Sequence, residues 1–135
     1  MRVMVYYNLH KHCLSVKAME GPLRGRVILH AYAVQLQDAV FKVSQAGRER
    51  VLRERAKNVH AGVIGKLVAH ETANNDTRLA KEALELGMTR LLTYDPYRFT
   101  SFVDRDTFEP VHAAPACVIV GRKILTPPVT TTSAY

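Results

Sequence analysis

Cysteine is scarce in this chain, and the little there is forms no pattern. Cys13 and Cys117 are the only two in 135 residues, with no C-x-x-C pair and no zinc-type spacing, so nothing supports a cysteine-held metal. A single bridge between them is compatible with the count, but two reduced thiols fit the rest of the chain better. Long apolar runs are missing too: none reaches the ~18 residues of a membrane-crossing helix. The opening Met1-Arg2-Val3-Met4-Val5-Tyr6-Tyr7-Asn8 has no extended apolar stretch and no small-residue cleavage site, so it is not a secretory signal. Nor is there a G-x-G-x-x-G, a G-x-x-x-x-G-K-[ST] or a G-x-S-x-G, so nucleotide cradles and serine nucleophile elbows have no support. Internal repeats and low-complexity blocks are also lacking.

What is present is positive charge, unevenly spread. Residues 1–67 carry 12 Lys and Arg against 4 Asp and Glu, whereas residues 68–135 carry 7 against 8. His10, His12, His30 and His60, four of the six histidines, fall in the basic half. Charge concentrated in this way attracts polyanions, because neutralising phosphates releases condensed counterions. Apolar residues at 47% and charged residues at 23% are ordinary for a folded protein.

Hydrophobic periodicity sets the expected elements. Residues 2–8 alternate, with Val3, Val5 and Tyr7 on one side, and predict a strand. Carried onward, the alternation puts His10 and His12 beside Tyr6 and Asn8. The stretches 26–34 and 35–43 read as strands joined by a bulge or bend, with Val27, Leu29, Ala31 and Ala33 on one face and Ala39, Phe41 and Val43 on another. Ser44 is suited to cap a helix running to about Lys57, in which Arg50, Arg53 and Lys57 form a basic stripe. Residues 58–68 alternate again. Asp76 is a suitable N-cap for a second helix with Leu79, Ala83 and Leu86 inward, ended by Gly87. Strands are expected at 90–94, 98–103, 108–112 and 117–120, with turns at Asp95-Pro96 and 104–107. The expected architecture is α+β: a single domain over residues 1–126, a curved antiparallel sheet with two helices, and a loose tail over 127–135.

Four constellations bear chemistry. Tyr6, Asn8, His10 and His12 are spaced to form a polar row on one strand face. Arg48, Arg50, Arg53, Lys57 and Lys66 surround His60, combining a near-neutral acid–base group with cations that stabilise a phosphorane. His30 approaches His10 or His12 if its strand lies beside the first. Tyr97 and Phe99 flank Arg98, and such planes stack bases. His70-Glu71 lacks the second histidine of a zincin. The catalytic candidates are therefore His60, His10, His12 and His30. The nucleic-acid candidates are Arg48, Arg50, Arg53, Lys57, Lys66 and Arg98, and neither a metal nor a cofactor is expected.

The stretches Val5-Tyr6-Tyr7-Asn8-Leu9-His10-Lys11-His12-Cys13, Gly47-Arg48-Glu49-Arg50-Val51-Leu52-Arg53-Glu54 and Lys57-Asn58-Val59-His60-Ala61 resemble segments of small accessory proteins encoded by tailed phages. That resemblance covers mainly the first 70 residues and implies a phage gene product without implying a reaction. A looser likeness, to small metal-independent RNases with a helix packed on a basic, histidine-bearing antiparallel sheet, departs in that this chain opens with strands. The expectation is a phage-type protein in the cytoplasm of an infected bacterium. Its partner is expected to be nucleic acid, RNA before DNA, with cleavage of RNA through His60 and a partner histidine from His10, His12 or His30. The competing expectations are a non-enzymatic, anti-defence inhibitor that binds a host protein or a signalling nucleotide, and a basic virion component.

Overall fold

The computed structural model describes residues 1–72 and 78–128. Its elements are β1 (Arg2–Asn8), β2 (Cys13–Ala18), β3 (Val27–Ala31), β4 (Ala33–Val43), α1 (Gln45–Glu54), β5 (Ala61–Glu71), α2 (Arg78–Glu85), β6 (Arg90–Thr93), β7 (Val103–Asp104), β8 (Ala113–Val120) and β9 (Lys123–Thr126). The nine strands form one antiparallel sheet in the order β3-β2-β1-β5-β4-β8-β9-β6-β7. The sheet is open, with β3 and β7 at its edges.

The sheet is curved. Five strand steps separate β1 from β6, a span of about 24 Å in a flat sheet, yet Val5 of β1 and Leu92 of β6 belong to one core cluster. The Arg122 guanidinium, in the β8–β9 turn, also reaches the Tyr7 ring at the end of β1, 4.6 Å from its centroid. The sheet's concave face holds the main core, which joins Val3 and Val5 to Phe41, Leu92, Phe102 and Ile119. The other face packs α2 through Leu79, Ala83 and Met88 onto Ala33 and Val118.

The bend in β4 has a clear physical origin. Val34 and Leu36 face the concave core, and so do Ala39 and Phe41, which a strict period of two forbids. The register against β5 shifts between Gln37 and Val40, and Asp38 there adopts φ 51°. One extra residue restores the parity. Gly65 lies opposite, where a Cβ would come 2.9 Å from the Gln37 carbonyl oxygen and 3.2 Å from Leu36 Cβ.

Several expectations are corrected here. The first alternation stops at Asn8, and residues 9–12 are turn, so His10 and His12 do not extend a polar row with Tyr6 and Asn8. The chain reverses because Asn8 Oδ1 accepts from the amides of His10 and Lys11, and β2 then returns along β1. The break between β3 and β4 falls at Tyr32 and moves Ala33 to the α2 side, away from Leu29 and Ala31. Helix α1 ends at Glu54 because Arg55 turns left-handed at φ 53°. Lys57 is thus off the helix, and the Arg50-Arg53-Lys57 stripe is broken. Residues 98–103 and 108–112 form no strands beyond Val103 and a bridge to Pro110. The expected Asp76 cap lies outside the described residues, as does the tail from 129 on. Glu71 Oε1 accepts from the Leu79 amide at the start of α2, and Leu86 is exposed. Ser44 and Gly87 act as expected: the Ser44 hydroxyl accepts from the Gly47 amide, and Gly87 takes φ 79°. Among the described residues, no helix is long and apolar enough to cross a membrane.

Candidate functional site

Inside the curl is a cleft of about 670 Å³. Apolar side chains of the core, among them Val5, Leu14, Val63, Leu92 and Phe102, make its floor. Its walls come from the end of β1, the α1–β5 connection, the end of β6 and the β8–β9 turn. They contribute Tyr6, Tyr7, Tyr94 and Tyr97 together with Arg55, Lys57, His60 and Arg122. Among the described residues, no carboxylate lines it. An apolar floor beneath aromatic rings and uncompensated cations suits a ligand that is flat in one part and anionic in another.

His60 holds the centre of one wall. Its Nδ1 lies 2.8 Å from the Asn58 carbonyl oxygen, which only accepts, so that nitrogen carries a proton. In the neutral ring Nε2 then accepts from the Tyr94 hydroxyl, 2.6 Å away. The Tyr94 hydroxyl, the His60 imidazole and the Asn58 carbonyl thus form one hydrogen-bonded chain. Burial holds the Tyr94 hydroxyl above the ordinary tyrosine range, against the pull of Arg48 and with a smaller push from Asp95. Gly47, in the first turn of α1, makes the arrangement possible, since a Cβ there would come 2.6 Å from His60 Cβ.

The other candidates are distributed. Arg48 is committed through Nε to the Pro96 and Phe99 carbonyls, at 3.0 and 2.9 Å, which ties the loop after β6 to α1. Arg50 and Arg53 are exposed on α1. Lys57 lines the cleft and also a smaller groove of about 400 Å³ shared with Asn8, His10 and Asn58. Lys66 lies directly opposite Arg2 on β1 and is of opposite parity to the core-facing Val63 and Gly65, so it is on the convex face. Arg98 stacks 4.9 Å from Phe99 and 5.5 Å from Phe108.

The histidines do not pair with each other. β3 lies beside β2, not β1, so His30 faces Ser15: its Nδ1 is 3.2 Å from Ser15 Oγ and its Nε2 3.3 Å from Lys11 Nζ. His12 is exposed in the β1–β2 turn. The partner of His60 is a tyrosine.

Tyr94 and Arg122 were not singled out from sequence. Tyr94 has no local signature. Arg122 does: Gly121-Arg122 between Val118-Ile119-Val120 and Ile124-Leu125 is a two-residue hairpin turn, and Gly121 takes the φ of 58° such a turn requires. Both cysteines are free, and burial pushes the Cys117 thiol up to about 12. Among the described residues, no three His, Cys, Asp or Glu side chains converge to hold a metal.

Comparison with known proteins adds lineage. The family profile described as the Mycobacterium phage L5 gene 82 protein matches residues 1–127. The gene 82 protein of Mycobacterium phage L5 is 38% identical over 115 residues, covering 81% of this chain and 82% of that protein. No solved structure matches significantly. The chain belongs to the phage L5 gene 82 protein family.

Proposed function

We propose that this phage protein binds single-stranded nucleic acid in the cleft, RNA before DNA, and that the His60–Tyr94 pair equips it to cleave RNA by proton transfer. The lining carries the reading: among the described residues, three cations and four tyrosines over an apolar floor with no carboxylate. Tyrosine faces stack unpaired bases while Arg and Lys meet the phosphates. The volume suits unpaired nucleotides rather than a duplex.

In the cleavage step, Tyr94 Oη takes the proton of a ribose 2′-hydroxyl as it passes its own proton to His60 Nε2. The 2′-oxygen attacks the adjacent phosphorus and the P–O5′ bond breaks. The leaving 5′-oxygen takes a proton from a water, and the hydroxide so formed takes back the proton held at His60 Nε2, giving a 2′,3′-cyclic phosphate and a 5′-hydroxyl end and restoring the neutral ring. Arg55, Lys57 and Arg122 offset the charge that builds on the phosphorane.

Incubation of end-labelled single-stranded RNA with the protein tests this. Turnover is expected, with Tyr94→Phe and His60→Ala slower by roughly 10²–10⁴-fold and deoxyribose strands uncut. A second reading draws on the apolar floor beneath tyrosines and cations: a non-enzymatic inhibitor that sequesters a signalling nucleotide. Submicromolar binding of free nucleotides by all three proteins, with no cleavage by any, would replace the first reading by the second.

A further inference from the structure

We infer that a strand held in the cleft continues out over a second stacking platform, built by Phe108, Arg98 and Phe99, so that the ligand is an oligonucleotide rather than a free nucleotide. This deepens the nucleic-acid reading and rests on it.

Phe108 is the first observation. It adopts φ 61°, a left-handed conformation that is unfavourable for a residue with a Cβ, and the residue is 52% exposed. Turn chemistry alone would favour glycine or asparagine there. The second observation is what the ring joins. Phe99 and Phe108 have centroids 5.7 Å apart at an interplanar angle of 32°, and the Arg98 guanidinium lies over both. The assembly presents aromatic and guanidinium planes to solvent, the surface on which bases stack. The third is continuity. Tyr97, 59% exposed, lines the cleft and immediately precedes Arg98, so one aromatic step connects the two. Glu109 follows Phe108 and Asp106 lies two residues before it, so Phe108 itself contributes by stacking and not by charge.

Fluorescence anisotropy with labelled 2′-O-methyl oligouridylates of two and ten nucleotides, which lack the attacking hydroxyl, tests the inference on the full chain. The ten-mer is expected to bind at least tenfold more tightly than the dimer. Phe108→Gly, which relieves the backbone and so keeps the fold, is expected to lose roughly tenfold for the ten-mer and nothing for the dimer, equally at low and high salt. Phe108→Leu is expected to behave like Phe108→Gly. Ten-mer affinity unchanged by Phe108→Gly, an equal loss for both lengths, or full function in Phe108→Leu would each overturn the platform while leaving the cleft reading intact. A wild-type protein that binds neither length would overturn both.

Discussion

Single residues decide whether this site exists. Gly47 lets the backbone of α1 approach His60, and the missing Cβ is the only space available there. Gly47→Ala is expected to push His60 off Tyr94 and to lower RNA turnover at least tenfold with little change in strand affinity, read as kcat against KM. Asp104 supports the platform from beneath. It receives the Arg90 guanidinium at 2.7 Å and accepts at Oδ1 from the amides of Asp106 and Thr107, which shapes the turn that carries Phe108. These bonds, the Arg90 contact foremost, hold its carboxyl below the usual carboxylate range. A depressed folded-state pKa contributes stability that is present above the unfolded value near 3.9 and is lost as pH falls through the folded one. Asp104→Ala is therefore expected to cost about 2–4 kcal/mol at neutral pH and to remove part of the wild type's loss of stability below about pH 4, both measurable by urea unfolding across pH. The sequence marked this turn through its Asp-Arg-Asp-Thr run, but the partner at position 90 is set by the pairing of β6 with β7, which no local pattern encodes.

At the scale of elements, local signals were reliable and their limits were not. The alternation of β1, the Ser44 cap and the Gly87 stop were all legible, because each is a short-range matter of side-chain direction or backbone freedom. β2 was missed although Leu14, Val16 and Ala18 alternate, since the histidine spacing before it drew the first strand too far. The end of α1 was misplaced for a different reason. Nothing about Arg55 predicts φ 53°; its amide donates to the Val51 carbonyl as the cap of α1, and the residue lines the cleft. Arg55→Gly isolates that conflict. The helix end is expected to gain about 0.5–1 kcal/mol, while strand affinity falls several-fold through loss of a cation. Thermal unfolding and anisotropy on the same sample check both. Gly65→Ala is expected to destabilise by about 1–3 kcal/mol, since the bulge in β4 has no room to retreat from a methyl group.

For the whole molecule, the charge asymmetry of the sequence did not become one basic face. The cations divide between α1, the cleft wall and the convex side of the sheet, and those of the cleft are the ones with aromatic company. With three cations lining it, binding of a single strand is expected to weaken with a slope near −2 in log K against log salt, about 0.7 per phosphate neutralised. A slope near zero would remove the electrostatic part of the proposal. The cleft itself draws on both halves of the chain: β1, β2 and β5 supply one side and β6, β8 and β9 the other, joined by the pairing of β4 with β8. That pairing has a cost during synthesis. Until residues 113–120 have left the ribosome, β4, with its apolar Ala33-Val34 and Ala39-Val40-Phe41 stretches, has only β5 beside it and one flank of bare amides and carbonyls. A nascent chain stalled or cut before Ala113 is thus expected to be prone to aggregation, and the cleft cannot take shape until β8 and β9 have joined the sheet.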